Sequence, residues 1–182
     1  MNDQCNPNGF LARGGAWVVV QFVLMTAVIV LGVMFHGDGI TLVVISTGVA
    51  LLLGGGGVGI AGVVVLGLNR TPFPQPRQGS QLVQRGIYGV VRHPLYTSVM
   101  LSSLGWAFTW QSKASLTAAV VLILFLHAKS RREERWLHEM FSDYPDYAQR
   151  VPRFLPGFCK SSKLNCNFRP RTGSKNTGNH EV

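Results

Sequence analysis

The polar cluster in residues 81–98 has an arginine, a histidine and two tyrosines close to the start of an apolar stretch. These side chains are Tyr88, Arg92, His93 and Tyr96. Pro94 fixes φ at the first turn of a helix, so Arg92 and His93 stand just outside the helix start. Because a helix N-terminus carries free N–H groups and partial positive charge, this segment could bind a carboxylate or a phosphate. An alternative stays open, in which Arg92 and His93 anchor the chain at a membrane interface and the tyrosines form an aromatic belt.

A second polar cluster follows in residues 127–156, where a helical pattern continues out of another apolar stretch. Helical periodicity collects two histidines, an arginine and a glutamate on one narrow stripe: His127, Arg131, Glu134 and His138. Glu133 is predicted to point elsewhere. The Glu134 carboxylate could pair with a cationic ligand, and the neighbouring arginines would keep it ionised at neutral pH. The alternative is a solvated helix with local ion pairs.

Four uncharged stretches must position these two clusters. They are residues 16–35, 40–68, 94–112 and 114–126, with lengths of twenty, twenty-nine, nineteen and thirteen residues. A helix needs about twenty apolar residues to cross a hydrocarbon layer of about 30 Å. The last stretch is short, but snorkelling Lys and His side chains and a following polar helix can extend it. The pattern predicts an all-α integral membrane protein with about four transmembrane helices and a cytoplasmic amphipathic helix extending from the last.

The basic residues are distributed unequally between the two sides of the predicted membrane. The chain has 17 Lys+Arg against 8 Asp+Glu, a net charge of +9. Four arginines lie between the second and third stretches and eleven basic residues follow from Lys129 onward, while the alternate loops hold Asp38 and Lys113. The positive-inside rule therefore predicts that both termini and both polar clusters are cytoplasmic. Attraction to anionic membrane lipid accounts for the basic excess, so no nucleic-acid partner is expected.

The pattern predicts one membrane domain, residues 16–156, between a cytoplasmic segment 1–15 and a tail 157–182. The tail is rich in Ser, Asn, Lys and Gly without periodicity, which predicts disorder. The first apolar stretch is too long and too weakly preceded by positive charge for a cleavable signal peptide, so we expect it to be retained. Cys5, Cys159 and Cys166 fall on the predicted reducing side, which argues against a disulfide, and their spacing without paired histidines predicts no metal site.

A run of glycines, GGGGVGIAG, fills residues 54–62 of the second apolar stretch. Consecutive glycines can cradle a phosphate with their backbone N–H groups, but the Lys and Ser/Thr of a phosphate loop are missing here. Gly55 and Gly59 instead have the small-xxx-small spacing that brings membrane helices close together. We therefore predict helix packing rather than ligand contact for this run.

An ordered series of motifs covers residues 81–156. It consists of LV-x-x-GIY-x-x-x-RHPLY, an uncharged hairpin, EE-x-x-L-x-x-x-F, Y-x-x-Y and RVPR-x-x-P. This series resembles the isoprenylcysteine carboxyl methyltransferase family and its phospholipid N-methyltransferase relatives, which are small integral membrane enzymes that use S-adenosyl-L-methionine. The resemblance implies that the cofactor is enclosed by the last two spans and their flanking segments, on the cytoplasmic side.

The resemblance also assigns roles to individual residues. Those implied to bind the cofactor are Gln81, Leu82, Val83, Tyr88, His93, Pro94, Tyr96 and Glu134. Lys129 stands where eukaryotic members carry a substrate-contacting arginine, with Arg131 close by, so both are implied to bind substrate. The cofactor carries a carboxylate, an ammonium and a sulfonium, and these groups match a basic helix N-terminus and a carboxylate.

The implied reaction is in-line transfer of the sulfonium methyl to a lipophilic small molecule or lipidated substrate bearing a carboxylate, thiol or amine. Either Arg92 or the basic group at residues 129–132 would orient an anionic acceptor, and either Glu133 or a histidine would serve as the base for an amine acceptor. Two alternatives stay open. One is a membrane reductase of the sterol-reductase type with a nicotinamide cofactor, and the other is a non-catalytic membrane protein whose clusters only anchor it.

Overall fold

The computed structural model describes residues 15–37, 39, 41–67 and 82–155. Within these ranges every regular element is helical: α1 (Gly15–Met34), α2 (Leu42–Leu66), a 3-10 helix (Gly86–Gly89), α3 (Pro94–Thr109), α4 (Lys113–Met140) and α5 (Tyr144–Arg150). The all-α prediction is confirmed for this part of the chain. Gln81, the three cysteines and the predicted tail 157–182 lie outside the described residues.

Three of these helices are long and apolar enough to cross a membrane, namely α1, α2 and α4. They correspond to the first, second and fourth predicted spans and identify the chain as an integral membrane protein. The predicted third span coincides with α3, which has 16 residues and is therefore about 24 Å long. That length falls short of a hydrocarbon layer of about 30 Å, so a fourth crossing stays a prediction.

The boundary between α3 and α4 is set by two residues that the hydropathy pattern does not reveal. Gln111 adopts a positive φ of 48°, which is incompatible with continuing α3. Ser112 then caps α4, because its hydroxyl accepts a hydrogen bond of 3.2 Å from the backbone N–H of Ser115. From this cap α4 runs without a break through its apolar half into the charged segment that carries Glu133 and Glu134.

Glycines allow α2 to pack closely against α3. A Cβ on Gly55 would lie 2.6 Å from Ser102 Oγ, and one on Gly59 would lie 2.5 Å from Ser98 Oγ. At Gly48 an added Cβ would meet the backbone nitrogen of Thr109 at 2.6 Å. Real Cβ atoms essentially never approach so closely, so a side chain at any of these positions would force a neighbour to shift, and at Gly48 the obstructing atoms include backbone. The predicted packing role is confirmed for Gly55 and Gly59, whereas an added Cβ at Gly54, Gly56 or Gly57 would meet nothing within 4 Å.

The other side of α3 and the apolar half of α4 pack against α1. Their shared core contains Val28, Ala119, Leu122 and Leu126, all buried. Side chains on α3 and α4 also donate to backbone carbonyls of α1: Ser115 Oγ to Val28 O at 2.8 Å, Ser112 Oγ to Leu31 O at 3.0 Å, and Trp106 Nε1 to Ile29 O at 3.2 Å. Such bonds between membrane helices are worth about 0.6 to 2 kcal/mol each.

The loops divide between the two ends of the bundle. The backbone N–H of Gly37, after α1, donates to the carbonyl of Trp110 in the turn after α3, at 3.1 Å. The α1–α2 connection and the α3–α4 turn therefore lie at the same end. The 3-10 helix, the start of α3 and the charged half of α4 lie at the opposite end, where both polar clusters meet.

Candidate functional site

The start of α3 is held in place by the segment that follows α5. Gly86 opens the 3-10 helix with φ of 60°, a left-handed conformation that favours glycine. Pro94 occupies the first turn of α3, and the backbone N–H groups of the two residues before it bond to the returning chain. Arg92 N donates to Pro152 O at 2.9 Å, and His93 N donates to Arg153 O at 3.1 Å. Residues 151–155 therefore close over the N-terminus of α3.

Glu134 is the centre of the site. Its carboxylate lies 3.2 Å from Arg92 Nη1 and 3.1 Å from His93 Nε2, both to Oε1. Arg153 engages both carboxylate oxygens, with Nε donating to Oε1 at 2.9 Å and Nη2 donating to Oε2. The Glu134 side chain is only 8% exposed. A buried carboxylate surrounded in this way is charge-compensated, which favours its ionised form.

His93 is held between two carboxylates and an aromatic ring. Its Nε2 faces Glu134, while its Nδ1 lies 3.6 Å from Glu133 Oε2. The imidazole stacks on Tyr96 at a centroid distance of 5.4 Å and an interplanar angle of 9°, and Phe154 covers it from the returning segment. Pro94 is fully buried beside it. The imidazole is thus fixed by contacts on α3, α4 and the segment after α5.

The polar stripe predicted on α4 does not form a single solvated face. Glu134 is buried, whereas His127, Arg131 and His138 are exposed. The two histidines contact aromatic rings, His127 against Phe154 and His138 against Tyr144. Glu133, which was predicted to lie off this stripe, also contacts the site, because the side chain of His93 reaches both glutamates from between α4 and α3.

A cluster centred on two tyrosines of α5 packs against the elements that form the site. Tyr144, Tyr147 and Val151 are buried together with Leu82 packed against them. Tyr147 donates its hydroxyl to the carbonyl of Tyr88 at 2.6 Å, which ties α5 to the 3-10 helix. Burial raises the pKa of Tyr88 to about 12, and the nearby negative charge of Glu133 acts in the same direction. Tyr88 is therefore a neutral hydroxyl at physiological pH.

Lys129 and Arg131, the residues implied to bind substrate, have different environments. Lys129 is 3% exposed, and its ammonium donates to Gln21 Oε1 on α1 at 2.6 Å while lying 5.4 Å from the centroid of the Tyr96 ring. Arg131 is exposed on α4. The buried cluster therefore includes Lys129, and Arg131 stands at its surface. Val83 is half-buried next to Leu82.

Two residues of this arrangement were missed by sequence reasoning. Arg153 belongs to the RVPR motif, but its bond to a glutamate 19 positions earlier depends on how the chain returns after α5. For Gln21 the sequence alone indicates a buried partner, because a lone amide inside an apolar span is costly unless it has one.

The arrangement suits a ligand that carries both an ammonium and a carboxylate. Among the described residues, Oε2 of Glu134 accepts only from Arg153, so it retains capacity for a further donor. Arg92 Nε and the Tyr144 hydroxyl are buried without a well-formed hydrogen bond. The two side chains interact with each other, and both carry donors that suit a ligand carboxylate. No group of three or more potential metal-ligating side chains occurs within the ranges that the structure describes.

Comparison with known proteins gives a consistent family match. A model of the phospholipid methyltransferase family matches residues 43–144. This match spans α2, α3 and α4, and therefore includes both the α3 start and the two glutamates.

Three individual relatives are similar over part of the chain. It is 36% identical over 81 residues to the cobalt-zinc-cadmium resistance protein CzcN of Cupriavidus metallidurans, covering 44% of this chain and 38% of that protein. Identity is 36% over 78 residues to protein-S-isoprenylcysteine O-methyltransferase B of Arabidopsis thaliana, covering 42% and 40%. A Delta(14)-sterol reductase of Mus musculus is 32% identical over 82 residues, covering 43% and 20%. The chain thus spans less than half the length of each of these relatives.

Proposed function

Because the chain belongs to the phospholipid methyltransferase family, we propose that it is an S-adenosyl-L-methionine-dependent membrane methyltransferase. The acceptor is a lipophilic molecule or lipidated substrate that carries a carboxylate, a thiol or an amine. The site faces the cytoplasm, in agreement with the distribution of basic residues along the chain.

One observation carries this proposal: the basic start of α3 and the acidic extension of α4 form a single buried site. The two clusters are separated by some forty residues of sequence, yet His93 Nε2 lies 3.1 Å from Glu134 Oε1. If the clusters only anchored the chain at the membrane surface, they would face lipid headgroups and water. Their burial against each other instead supports a binding site.

Different residues of the chain are proposed to bind different groups of the cofactor. When bound, S-adenosyl-L-methionine supplies an electrophilic methyl group on a sulfonium. Glu134 takes the ammonium, while Arg92 and Tyr144 take the carboxylate. The remaining residues proposed to line the cofactor are Leu82, Val83, Tyr88, His93, Pro94 and Tyr96. Gln81 belongs to the same proposed set but lies outside the described residues.

The acceptor is proposed to bind on the side of Glu133 that faces Lys129, away from the cofactor. Lys129 orients an anionic head group and Arg131 guides it from the surface, while Glu133 removes a proton if the acceptor is an amine. Arg92 lies within the same buried cluster and contributes positive charge to it. Residues 151–155 cover the α3 start and exclude water, so that positioning and desolvation supply the rate acceleration.

Ligand binding to the detergent-purified protein tests the proposal directly. Isothermal calorimetry would compare S-adenosyl-L-methionine, S-adenosylhomocysteine and NADPH under the same conditions. We expect both sulfur-containing ligands to bind and NADPH not to bind. Binding of NADPH alone would favour the reductase alternative, and binding of none would favour an anchoring role.

A transfer assay then identifies the acceptor class. Radiolabelled methyl transfer would be measured into a farnesylated cysteine analogue, a long-chain thiol and phosphatidylethanolamine vesicles. These probes represent a carboxylate, a thiol and an amine. Transfer to one of them assigns the class, and binding of the cofactor without transfer to any would exclude all three from the proposal.

A further inference from the structure

Gln21 is the one amide side chain within α1, which is otherwise apolar along most of its twenty residues. A polar side chain at membrane depth is costly, so it is expected to have a specific partner. The partner is Lys129 on α4, whose ammonium donates to Gln21 Oε1 at 2.6 Å across 108 positions of sequence. The contact brings α1, which lies outside the residues matched by the family model, to the edge of the site.

Lys129 is an unusual group to bury, since it is 3% exposed and its hydrogen-bonding partner is a neutral amide. An ammonium has three donors, so one amide leaves donor capacity available, while Glu133, four residues further along α4, attracts the ammonium electrostatically. The face of Tyr96 lies 5.4 Å from the ammonium and supplies a weak further attraction. A buried cation with this remaining capacity is suited to an electron-rich group of a ligand.

Tyr96 joins Lys129 to the cofactor cluster. Its ring stacks on His93 at 5.4 Å, and His93 is bonded in turn to Glu134. A continuous series of side-chain contacts therefore runs from α1 to the centre of the site, in the order Gln21, Lys129, Tyr96, His93 and Glu134. A group bound at Lys129 would lie next to the cofactor cluster without entering it.

We infer that Gln21 is a positioning residue of the acceptor site, which fixes the Lys129 ammonium beside Tyr96 and so makes α1 a determinant of acceptor binding. The inference rests on the proposed methyltransferase function. Gln21 is half-buried, whereas Lys129 is buried. Without the amide, the flexible stem of Lys129 would sample several rotamers and the ammonium would lose its fixed place.

Kinetics of four single variants and one double variant test this inference. Gln21→Leu removes the hydrogen-bond acceptor, Gln21→Glu keeps an oxygen at the same reach, and Lys129→Met removes the group being positioned. The matched control is Thr26→Val, which removes a polar group from an exposed position of the same helix. Methyl transfer would be measured with the probe that the unmodified protein methylates, varying acceptor and cofactor concentrations separately.

We expect Gln21→Leu to raise the acceptor KM roughly tenfold while cofactor affinity changes by less than about twofold. Gln21→Glu should recover most of that loss. The double variant Gln21→Leu/Lys129→Met should be no worse than Lys129→Met alone, because the amide acts through the ammonium. Additive effects, equal changes in acceptor and cofactor parameters, or a Gln21→Leu variant that matches Thr26→Val would each overturn the inference.

Chemical labelling tests the same inference without an acceptor. Reductive methylation followed by mass spectrometry would compare the labelling rate of Lys129 with that of Lys113, at the far end of α4, as internal reference. We expect Gln21→Leu to raise Lys129 labelling several-fold and Thr26→Val to leave it unchanged. If Gln21→Leu does not accumulate, Gln21→Asn withdraws the amide by one methylene and should give a smaller rise. Unchanged labelling in both would overturn the inference, whereas failure of the unmodified protein to bind the cofactor would overturn the proposed function.

Discussion

At the residue scale, the Glu134 carboxylate does two things at once. It compensates two arginines that are largely buried, Arg92 and Arg153, whose side chains are 13% and 25% exposed. It also retains an oxygen that can accept from a ligand ammonium. Removing its charge should therefore affect stability and binding together, and an experiment must separate them.

We expect Glu134→Gln to weaken S-adenosyl-L-methionine binding roughly tenfold or more, because an amide cannot replace the charge that pairs with the ammonium. The Tm should also fall, since both arginines lose their anionic partner. Calorimetry at low temperature, with helical content checked by circular dichroism, measures binding by the folded protein. His93→Ala should weaken binding in the same direction.

Glu139→Gln is the matched control, since it removes the same charge from an exposed position of the same helix. It should bind the cofactor like the unmodified protein. A folded Glu134→Gln variant with unchanged affinity would show that this carboxylate does not contact the cofactor.

The site residues that could be predicted from the sequence are those inside contiguous motifs. His93 and Glu134 stand in RHPLY and EE-x-x-L, and each motif fixes its own local geometry. The bonds of Arg153 to Glu134 and of Gln21 to Lys129 required the tertiary arrangement, because each joins residues on different elements. The contact of His93 with both Glu133 and Glu134 was equally hidden, because it joins α3 to α4.

At the element scale, α2 is held to α3 by backbone proximity rather than by interdigitating large side chains. At Gly48 an added Cβ would meet Thr109 N at 2.6 Å and Gly105 O at 2.8 Å. Both are backbone atoms, which cannot move aside as a flexible side chain can. The contact therefore tolerates no side chain without separating the two helices.

We expect Gly48→Ala to destabilise the protein by about 1 to 3 kcal/mol, the usual range for overpacking. Gly57→Ala serves as the control, because an added Cβ there meets nothing within 4 Å. It should be neutral or slightly stabilising, since alanine favours a helix by up to about 1 kcal/mol over glycine. Thermal unfolding in detergent compares the two, and equal effects would contradict the close-packing argument.

The helices themselves were predictable as apolar stretches, but the length of α3 was not. Residues 94–112 carry no formal charge, which suggested one span of nineteen residues. The helix ends at Thr109 because Gln111 takes a left-handed conformation and Ser112 caps the next helix. Hydropathy measures composition and does not register a tight turn inside an apolar run.

At the scale of the whole molecule, the two ends of the bundle have different compositions. The hydrogen bond between Gly37 and Trp110 joins the two weakly charged loops at one end, and the basic and acidic clusters lie at the other. We predict that a single cysteine introduced at Gly39 is labelled from outside the cell membrane and one at Arg85 from the cytoplasm, in a background without the native cysteines. Membrane-impermeant maleimide applied to intact cells and to inverted vesicles distinguishes them. Labelling in the opposite pattern would reverse the proposed orientation.

The segment after α5 covers the start of α3, and truncation tests whether cofactor binding needs this cover. Residues 151–155 bond to the α3 start and place Arg153 on Glu134, and the Thr97 hydroxyl donates to Phe154 O at 3.1 Å. A protein ending at residue 156 keeps all of these contacts and should bind the cofactor normally, because residues 157–182 show neither periodicity nor motif.

A protein ending at residue 150 loses these contacts, so the Glu134 carboxylate keeps two of its three basic partners and the α3 start loses its cover. We expect cofactor binding to fall at least about tenfold in this shorter protein. Equal binding by the two truncated proteins would show that the cofactor is held without the returning segment, and loss of binding in both would place the end of the functional domain beyond residue 156.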